Sequence, residues 1–463
     1  MRVVLADLES DRGFTSKDTV VGGYGSRLDP FTRVTKVMAF LKKQFHDVPS
    51  VHLAYIAAIL SRAGHEVVWT RREEHDGDVA LVLSSLVDYK NETAWADRMR
   101  ARGVKVGFMG ITASKMPHLF EGHCDFILNG EPEAGVMRLA QGTIPSGNVI
   151  SEQIDDLDSL PFPRWDLITD RKQGFKLFTR PAGGGSYPLL ASRGCPEFCT
   201  YCPHRILAGY RARSIANIVD EMERLCDQVK RPYVIFRDPL FTEQRDRVIE
   251  LCDEIQRRGL ELTFEAETRL DRLDTELLDK LYAAGFRAMS FGVESLDPAT
   301  LKKSGRRPIP QSHQREIIDH CRKLGIMTAA FYVLGFLQDD WNSIAATIDY
   351  ATDLGSSFAQ FKMLTPYPGT PMFKQIEPLL TETDWEMFDG FTPTFKHPNL
   401  SNRELKFLLG AAYKRFYMRP SYLANLLKVR NTAVQEWVNR MDRRVNDRHC
   451  REEIADISRP VAC

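Results

Sequence analysis

Short apolar runs recur along the first third of the chain, each bounded by turn residues. Val3 to Ala6, His65 to Thr70, Val79 to Ser84, Val104 to Met109 and Cys124 to Leu128 read as strands. Val51 to Ala63 instead spaces its apolar residues with a helical period and stops at Gly64. Strands separated by helices predict a parallel, doubly wound, Rossmann-like α/β domain over residues 1–145.

The pattern changes over residues 146–186. Leu160-Pro-Phe-Pro-Arg-Trp165 is held extended by its prolines, and Gly183-Gly-Gly185 is flexible, so a linker is predicted. Alternation resumes at Tyr187. Tyr187 to Ser192, Tyr233 to Phe236, Leu262 to Glu265, Ala288 to Val293, Met327 to Leu334 and Phe361 to Leu364 read as six strands. Amphipathic segments such as Ile215 to Lys230 lie between them, which predicts a six-stranded (β/α)6 partial barrel over residues 187–375. Residues 376–463 read as a helical C-terminal tail, with Asp442 to His449 as a solvated helix end. Polar groups gather just after the strands, at Asp238, Glu267, Arg269, Glu294 and the run Thr365-Pro-Tyr-Pro-Gly-Thr370. Carboxyl ends of parallel strands are where such folds collect functional groups.

Charge changes the picture only by exclusion. Lys+Arg and Asp+Glu are both 62, so no electrostatic footprint for nucleic acid is present. No apolar run reaches the length of a membrane span, and the start reads as a strand rather than a targeting peptide. The nine cysteines are an odd number without a secretory signal, which argues against a disulfide framework and for a cytoplasmic, reducing setting. Cys226, Cys252 and Cys321 fall in amphipathic helical stretches and read as packing residues.

Three cysteines carry the chemistry. Cys195, Cys199 and Cys202 form a CxxxCxxC triplet followed by Pro203-His204. Thiolates select zinc, copper(I) or iron–sulfur clusters. A zinc site needs a fourth ligand, for which His204 is the candidate. A 4Fe–4S cube takes one thiolate per iron, so three thiolates leave one iron open.

The triplet resembles that of the radical S-adenosylmethionine (SAM) superfamily. The resemblance implies a 4Fe–4S cluster on Cys195, Cys199 and Cys202, with SAM chelating the open iron. It implies cleavage of SAM to a 5′-deoxyadenosyl radical. It places Tyr201 near the adenine, Asp238 by the SAM amino group, and Glu267 and Arg269 near SAM or substrate. Glu294 would reach the ribose hydroxyls and Arg306 the SAM carboxylate, a role that suits a planar guanidinium. Tyr210 is the candidate catalytic residue, as a substrate-side proton or hydrogen donor. Arg205, Arg211 and Arg213 read instead as barrel cover or as partners of helix acids such as Glu221.

The N-terminal half resembles the cobalamin-binding-type domain of one branch of that superfamily. The segments that carry the likeness are Leu53 to Leu60 with Ala63-Gly-His-Glu-Val67, and Asp125 to Glu133. The DxHxxG signature is absent, and the glycine pair expected after the fourth strand keeps one member, Gly110. Two alternatives follow: a cobalamin held without a lower protein ligand, or a Rossmann-like domain that only shapes the active site. Ser16 to Arg27 reads as a turn or as a loop lining the domain interface.

The expected activity is therefore radical SAM chemistry on a small molecule, with cobalamin-dependent C-methyl transfer leading. The alternatives are dehydration, cyclisation or rearrangement by direct hydrogen abstraction, and a non-enzymatic metal-binding module. The expected partners are a small-molecule substrate and an electron donor such as flavodoxin or ferredoxin, with no nucleic acid and no membrane span.

Overall fold

The computed structural model describes residues 1–9, 15–17, 23–27, 48–168, 186–419 and 422. Its first sheet takes strands β1 (Arg2–Ala6), β4 (Glu66–Thr70), β5 (Val79–Leu83), β6 (Lys105–Met109), β7 (Phe126–Gly130) and β8 (Gly147–Ser151). All are parallel, in the order β4-β1-β5-β6-β7-β8. A two-residue ladder, β2 (Thr15–Ser16) with β3 (Ser26–Arg27), lies in the loop after β1. Helices α1 (Val51–Arg62), α2 (Tyr89–Ala101), α3 (Ile111–Lys115) and α4 (Pro132–Ala140) make the crossovers. Every residue of β5 is buried, as expected for a strand covered on both faces. Ser50 caps α1 by accepting from the Leu53 N–H, and the helix is buried from Val51 through Leu60.

β8 extends the first sheet beyond residue 145, into what reads as linker in the sequence. It is an edge strand with only Ser151 fully buried, so no period-2 apolar signal marks it. Ser151 Oγ instead ties the edge to α4, accepting from Gly135 N at 2.9 Å. A short helix α5 (Trp165–Ile168) follows; Gly183 to Gly185 lie outside the described residues.

The second sheet is also parallel, in the order β9-β12-β13-β14-β15-β16. Its strands are β9 (Ser186–Leu189), β12 (Tyr233–Phe236), β13 (Thr263–Thr268), β14 (Phe286–Glu294), β15 (Met327–Leu334) and β16 (Phe358–Met363). The crossover helices are α6 (Ile215–Gln228), α7 (Arg245–Arg257), α8 (Thr275–Ala283), α9 (Pro298–Lys303), α10 (Gln311–Leu324) and α11 (Trp341–Leu354). β9 and β16 end the series without pairing to each other, so the sheet is a partial barrel. Burial alternates along β13, β15 and β16: one face lies under the helices and the other, half-exposed, lines the barrel interior.

After α12 (Pro371–Ile376) the chain departs from the helical tail read in the sequence. Residues 380–400 are irregular apart from one short 3₁₀ turn and a Leu380–Phe395 bridge. Pro393 and Pro398 break any helix there, and Asp389 Oδ1 accepts from the Phe391 and Thr392 N–H groups, fixing a turn. Helix α13 (Asn402–Tyr417) follows. The chain forms two compact units, Met1–Ala412 and Tyr413–Cys463. In the second, Arg419 lies over the Phe416 ring at 3.9 Å. Asp442 to His449, Cys450 and Cys463 fall outside the described residues.

Candidate active site

The cysteine triplet sits in a loop closed at its neck by a two-residue antiparallel ladder, β10 (Ser192–Arg193) with β11 (Arg211–Ala212). Gly194 leaves that ladder at φ +74, where an added Cβ would stand 2.5 Å from the Gly209 carbonyl oxygen, so only glycine fits. The far side of the loop rests on the end of α9. Thr200 N–H donates to Ser304 O at 2.9 Å, and a Cβ on Gly305 would meet the Phe198 carbonyl at 2.4 Å. Cys199 is buried; Cys195 and Cys202 are half-buried. Burial pushes the Cys195 thiol up to about 11 and Cys202 higher, so binding metal there displaces their protons.

Among the described residues, no three His, Cys, Asp or Glu side chains stand close enough to hold a single metal ion. His204 is half-buried, and burial beside Arg237 lowers its pKa to about 4. Three thiols on one loop suit a four-iron cube better, since each sulfur there binds a different iron.

Arg306, Glu294 and Tyr201 converge on this loop. Arg306 Nη1 lies 3.9 Å from Cys199 Sγ, and Nη2 donates to Gly292 O at 2.5 Å. The same guanidinium is 3.6 Å from Glu294 Oε1. A register shift between Gly292 and Glu294 bulges β14, and Glu294 takes φ +69, a left-handed conformation rare for glutamate. A Cβ at Gly292 would lie 2.0 Å from Glu294 Oε1, so a larger residue there would push the carboxylate from this position. Burial raises the Glu294 pKa, against the pull of Arg306 and Arg269. Tyr201 stands edge-on to Phe336, with centroids 5.5 Å apart, and burial next to Glu294 holds its phenol well above the ordinary range. The result is a cation and an anion poised beside a cysteine at the carboxyl ends of the strands. Such a pair can hold a carboxylate on its cationic side and accept from hydroxyl groups on its anionic side.

The other expected residues take different places. Arg269 is buried and bidentate to Asp271 at 2.9 and 3.0 Å, with Glu197 of the cluster loop 3.6 Å away. Glu267 lies on the interior face of β13, two positions beyond Glu265, which accepts from Tyr233 Oη at 2.5 Å. Asp238 is engaged at the loop entrance, accepting from Ala191 N at 3.0 Å and Ser192 Oγ at 2.6 Å. Burial pushes its carboxyl up to about 6. Tyr210 is at the neck, and burial followed by nearby Asp238 and Glu243 raises its phenol, against Arg247. Arg213 pairs with Glu221 at 2.6 Å. Gly110 opens α3 at φ +109, at the carboxyl end of β6.

Described residues of Ser16 to Arg27, the segment read in the sequence as a turn or an interface loop, stand at the crevice of the first sheet. The strand order reverses between β1 and β5, where such folds usually take ligands. There Lys17 Nζ pairs with Glu92 at 2.7 Å and donates to Leu8 O at 3.0 Å and Leu83 O at 3.3 Å. Arg27 Nη1 donates to Val87 O at 2.6 Å. Tyr24 stacks on Tyr367 with centroids 5.0 Å apart and donates to Pro368 O. Tyr24, Leu86, Ile111, Met116 and Phe388 form one apolar cluster, with Ile206 and Tyr367 against it. The strand ends of the two sheets meet through this cluster.

Residues 189–351 match the Radical SAM superfamily. An uncharacterised methyltransferase of Pyrococcus horikoshii is 27% identical over 274 residues, 58% of this chain and 58% of that protein's own length. The bacteriochlorophyllide d C-12(1)-methyltransferase of Chlorobaculum tepidum is 24% identical over 71% of this chain and 72% of its own. The chain is also similar in fold to TsrM, a radical SAM methyltransferase of Kitasatospora setae solved with cobalamin and a [4Fe-4S] cluster. The TM-score is 0.58 at 18% identity, covering 81% of this chain and 78% of TsrM. The chain carries a radical SAM domain over residues 189–351, and its likeness in fold to TsrM reaches beyond that domain. It is an enzyme whose domain implies a 4Fe–4S cluster and SAM. Among the described residues no helix is long and apolar enough to cross a membrane.

Proposed function

We propose that this enzyme cleaves SAM at the Cys195–Cys199–Cys202 loop and modifies an unactivated carbon of a small molecule by C-methyl transfer. The observation that carries the reading is the placement of Arg306 beside both Cys199 and Glu294. A cluster bound at the three thiols supplies the electron that cleaves SAM. Arg306 pairs with the SAM carboxylate, Glu294 accepts from the ribose hydroxyls, and Tyr201 borders the adenine. Methyl transfer is supported by the chain's similarity to the methyltransferases of Pyrococcus and Chlorobaculum. The interior face of the barrel, with Tyr233, Glu265 and Glu267, is where a small polar substrate would lie. A soluble electron donor of the flavodoxin or ferredoxin type and a cytoplasmic setting complete the proposal.

A second reading is direct hydrogen abstraction without cobalamin. It is favoured by Lys17, Tyr24 and Arg27, whose side chains are engaged at the crevice of the first sheet. Anaerobic incubation with SAM and a reductant tests the common step. 5′-Deoxyadenosine or S-adenosylhomocysteine should form with the wild type and not with Cys199→Ala. Reconstitution with hydroxocobalamin, read by its visible spectrum after desalting, separates the two readings. Retained cobalamin supports methyl transfer, and a spectrum of the cluster alone supports direct abstraction.

A further inference from the structure

Two glutamates at the start of α4 reach from the first domain into the neck of the cluster loop. Glu131 is 1% exposed and Glu133 0%. Arg193, 1% exposed, holds Nη2 2.8 Å from Glu133 Oε1 and Nη1 3.6 Å from Glu131 Oε1. Arg211, from the opposite strand of the β10–β11 ladder, reaches the same Glu131 oxygen at 2.7 Å. His52 of α1 is 3.8 Å from Glu133, and the Arg193 guanidinium lies 5.4 Å from the Tyr55 ring centre. Burial disfavours a charged Glu133, but Arg193 and His52 outweigh it and hold the carboxyl below its ordinary range.

Buried ions are costly unless paired, and apolar side chains of similar volume would join two domains at least as firmly. What the ions add is direction. Glu131 draws together one arginine from each strand of the ladder, and Glu133 fixes the first of them from a second side. Cys195 follows Arg193 by two residues, with only Gly194 between, and Gly194 is wedged against the Gly209 carbonyl. The chain has little slack between the clamped arginine and the first thiol.

We propose that Glu131 and Glu133 are positioning residues for the iron–sulfur site. Through Arg193 and Arg211 they close the neck of the loop and set Cys195 in register with Cys199 and Cys202. The first domain thereby serves the cluster whether or not it carries a cofactor of its own. The proposal rests on the radical SAM reading and deepens it.

The test uses the full chain, reconstituted anaerobically with iron and sulfide. Wild type, Glu133→Gln, Glu131→Gln and the charge-keeping Glu133→Asp are compared. Three quantities are read: the rate of iron loss to a chelator, the electron paramagnetic resonance of the reduced cluster with and without SAM, and the melting temperature of the apoprotein. The amides are expected to lose iron about 10- to 100-fold faster, in line with partners one step removed from a metal ligand. Their reduced-cluster signal should be altered, their apoprotein melting close to wild type, and Glu133→Asp should recover part of the difference. Wild-type iron loss and signal in both amides would overturn the proposal. So would an apoprotein that melts far below wild type, because the glutamates would then hold the domains together rather than the loop. A wild-type chain that takes up no cluster refutes the radical SAM reading instead, before any variant is compared.

Discussion

Arg306 sets its guanidinium 3.9 Å from the sulfur of Cys199, a residue 107 positions earlier in the chain. Two local features make the meeting possible. Gly305 lets the Phe198 carbonyl press onto the turn after α9, and the bulge at Gly292 frees a carbonyl to orient the arginine. Arg306 is also the residue that faces Glu294, so one side chain connects the cluster loop to the strand that would bind the ribose.

Arg306→Gln removes the charge while keeping most of the volume. A hydrogen bond to a charged group contributes about 1.5–3 kcal/mol, so SAM affinity should fall roughly 10- to 100-fold. Titrating SAM against the reduced-cluster resonance signal measures this. Arg306→Lys should fall between the two, because an ammonium lacks the bidentate fork. Unchanged affinity in both variants would remove Arg306 from the SAM site.

Glu294 holds a backbone conformation that glycine adopts freely and glutamate does not, at a cost of about 1–2 kcal/mol. It also keeps a carboxylate in a buried place. Glu294→Gly should therefore melt no lower than wild type while SAM cleavage falls by more than about tenfold, as for loss of a charge-assisted contact. A large drop in melting temperature would show that the Arg306 pair supports the fold more than the function.

Asp238 titrates near 6 in the folded chain because it is buried, against 3.8 for the ordinary group. The native state then binds the proton more tightly than the unfolded one, so stability is lost as pH rises from about 4 to 6. At 1.36 kcal/mol per unit, the upper bound is about 3 kcal/mol. The apoprotein should gain stability relative to Asp238→Asn as the pH is lowered from 7 to 4.5, read as melting temperatures. A difference that stays flat across that range would contradict the assignment.

Tyr24 closes the gap between the two sheets by stacking on Tyr367. Tyr24→Ala deletes the stack and should increase the hydroxocobalamin that survives desalting severalfold over wild type. Melting temperature should fall, since truncating a buried aromatic costs about 3–5 kcal/mol. Equal retention in the two proteins would mean that Tyr24 does not stand in the way.

Much of the architecture was legible because its signals are local. The buried run of β5, the Ser50-capped α1 and the alternation along β13 each announce themselves within a few residues. β8 and the irregular segment 380–400 did not. The first is an edge strand with little to bury, and the second is held by turns and by contacts with Tyr24 and Leu86. The site divides the same way. Cys195, Cys199 and Cys202 were readable from spacing alone. Arg306 and Glu294 were readable through resemblance, and the fold brings them together with Tyr201. The fold also supplies the partners of Asp238 and Arg269, at the entrance and the edge of the cluster loop.

Two parallel α/β layers and a loop of three thiols were readable along the chain, because periodicity and cysteine spacing are properties of sequence neighbours. What stands around that loop came from the fold. Lys17 meets Glu92, Arg193 meets Glu133, and Tyr24 meets Tyr367 across separations that no local pattern encodes. Buried charges and rings find partners only where packing excludes water, and that is settled when the two sheets close on each other.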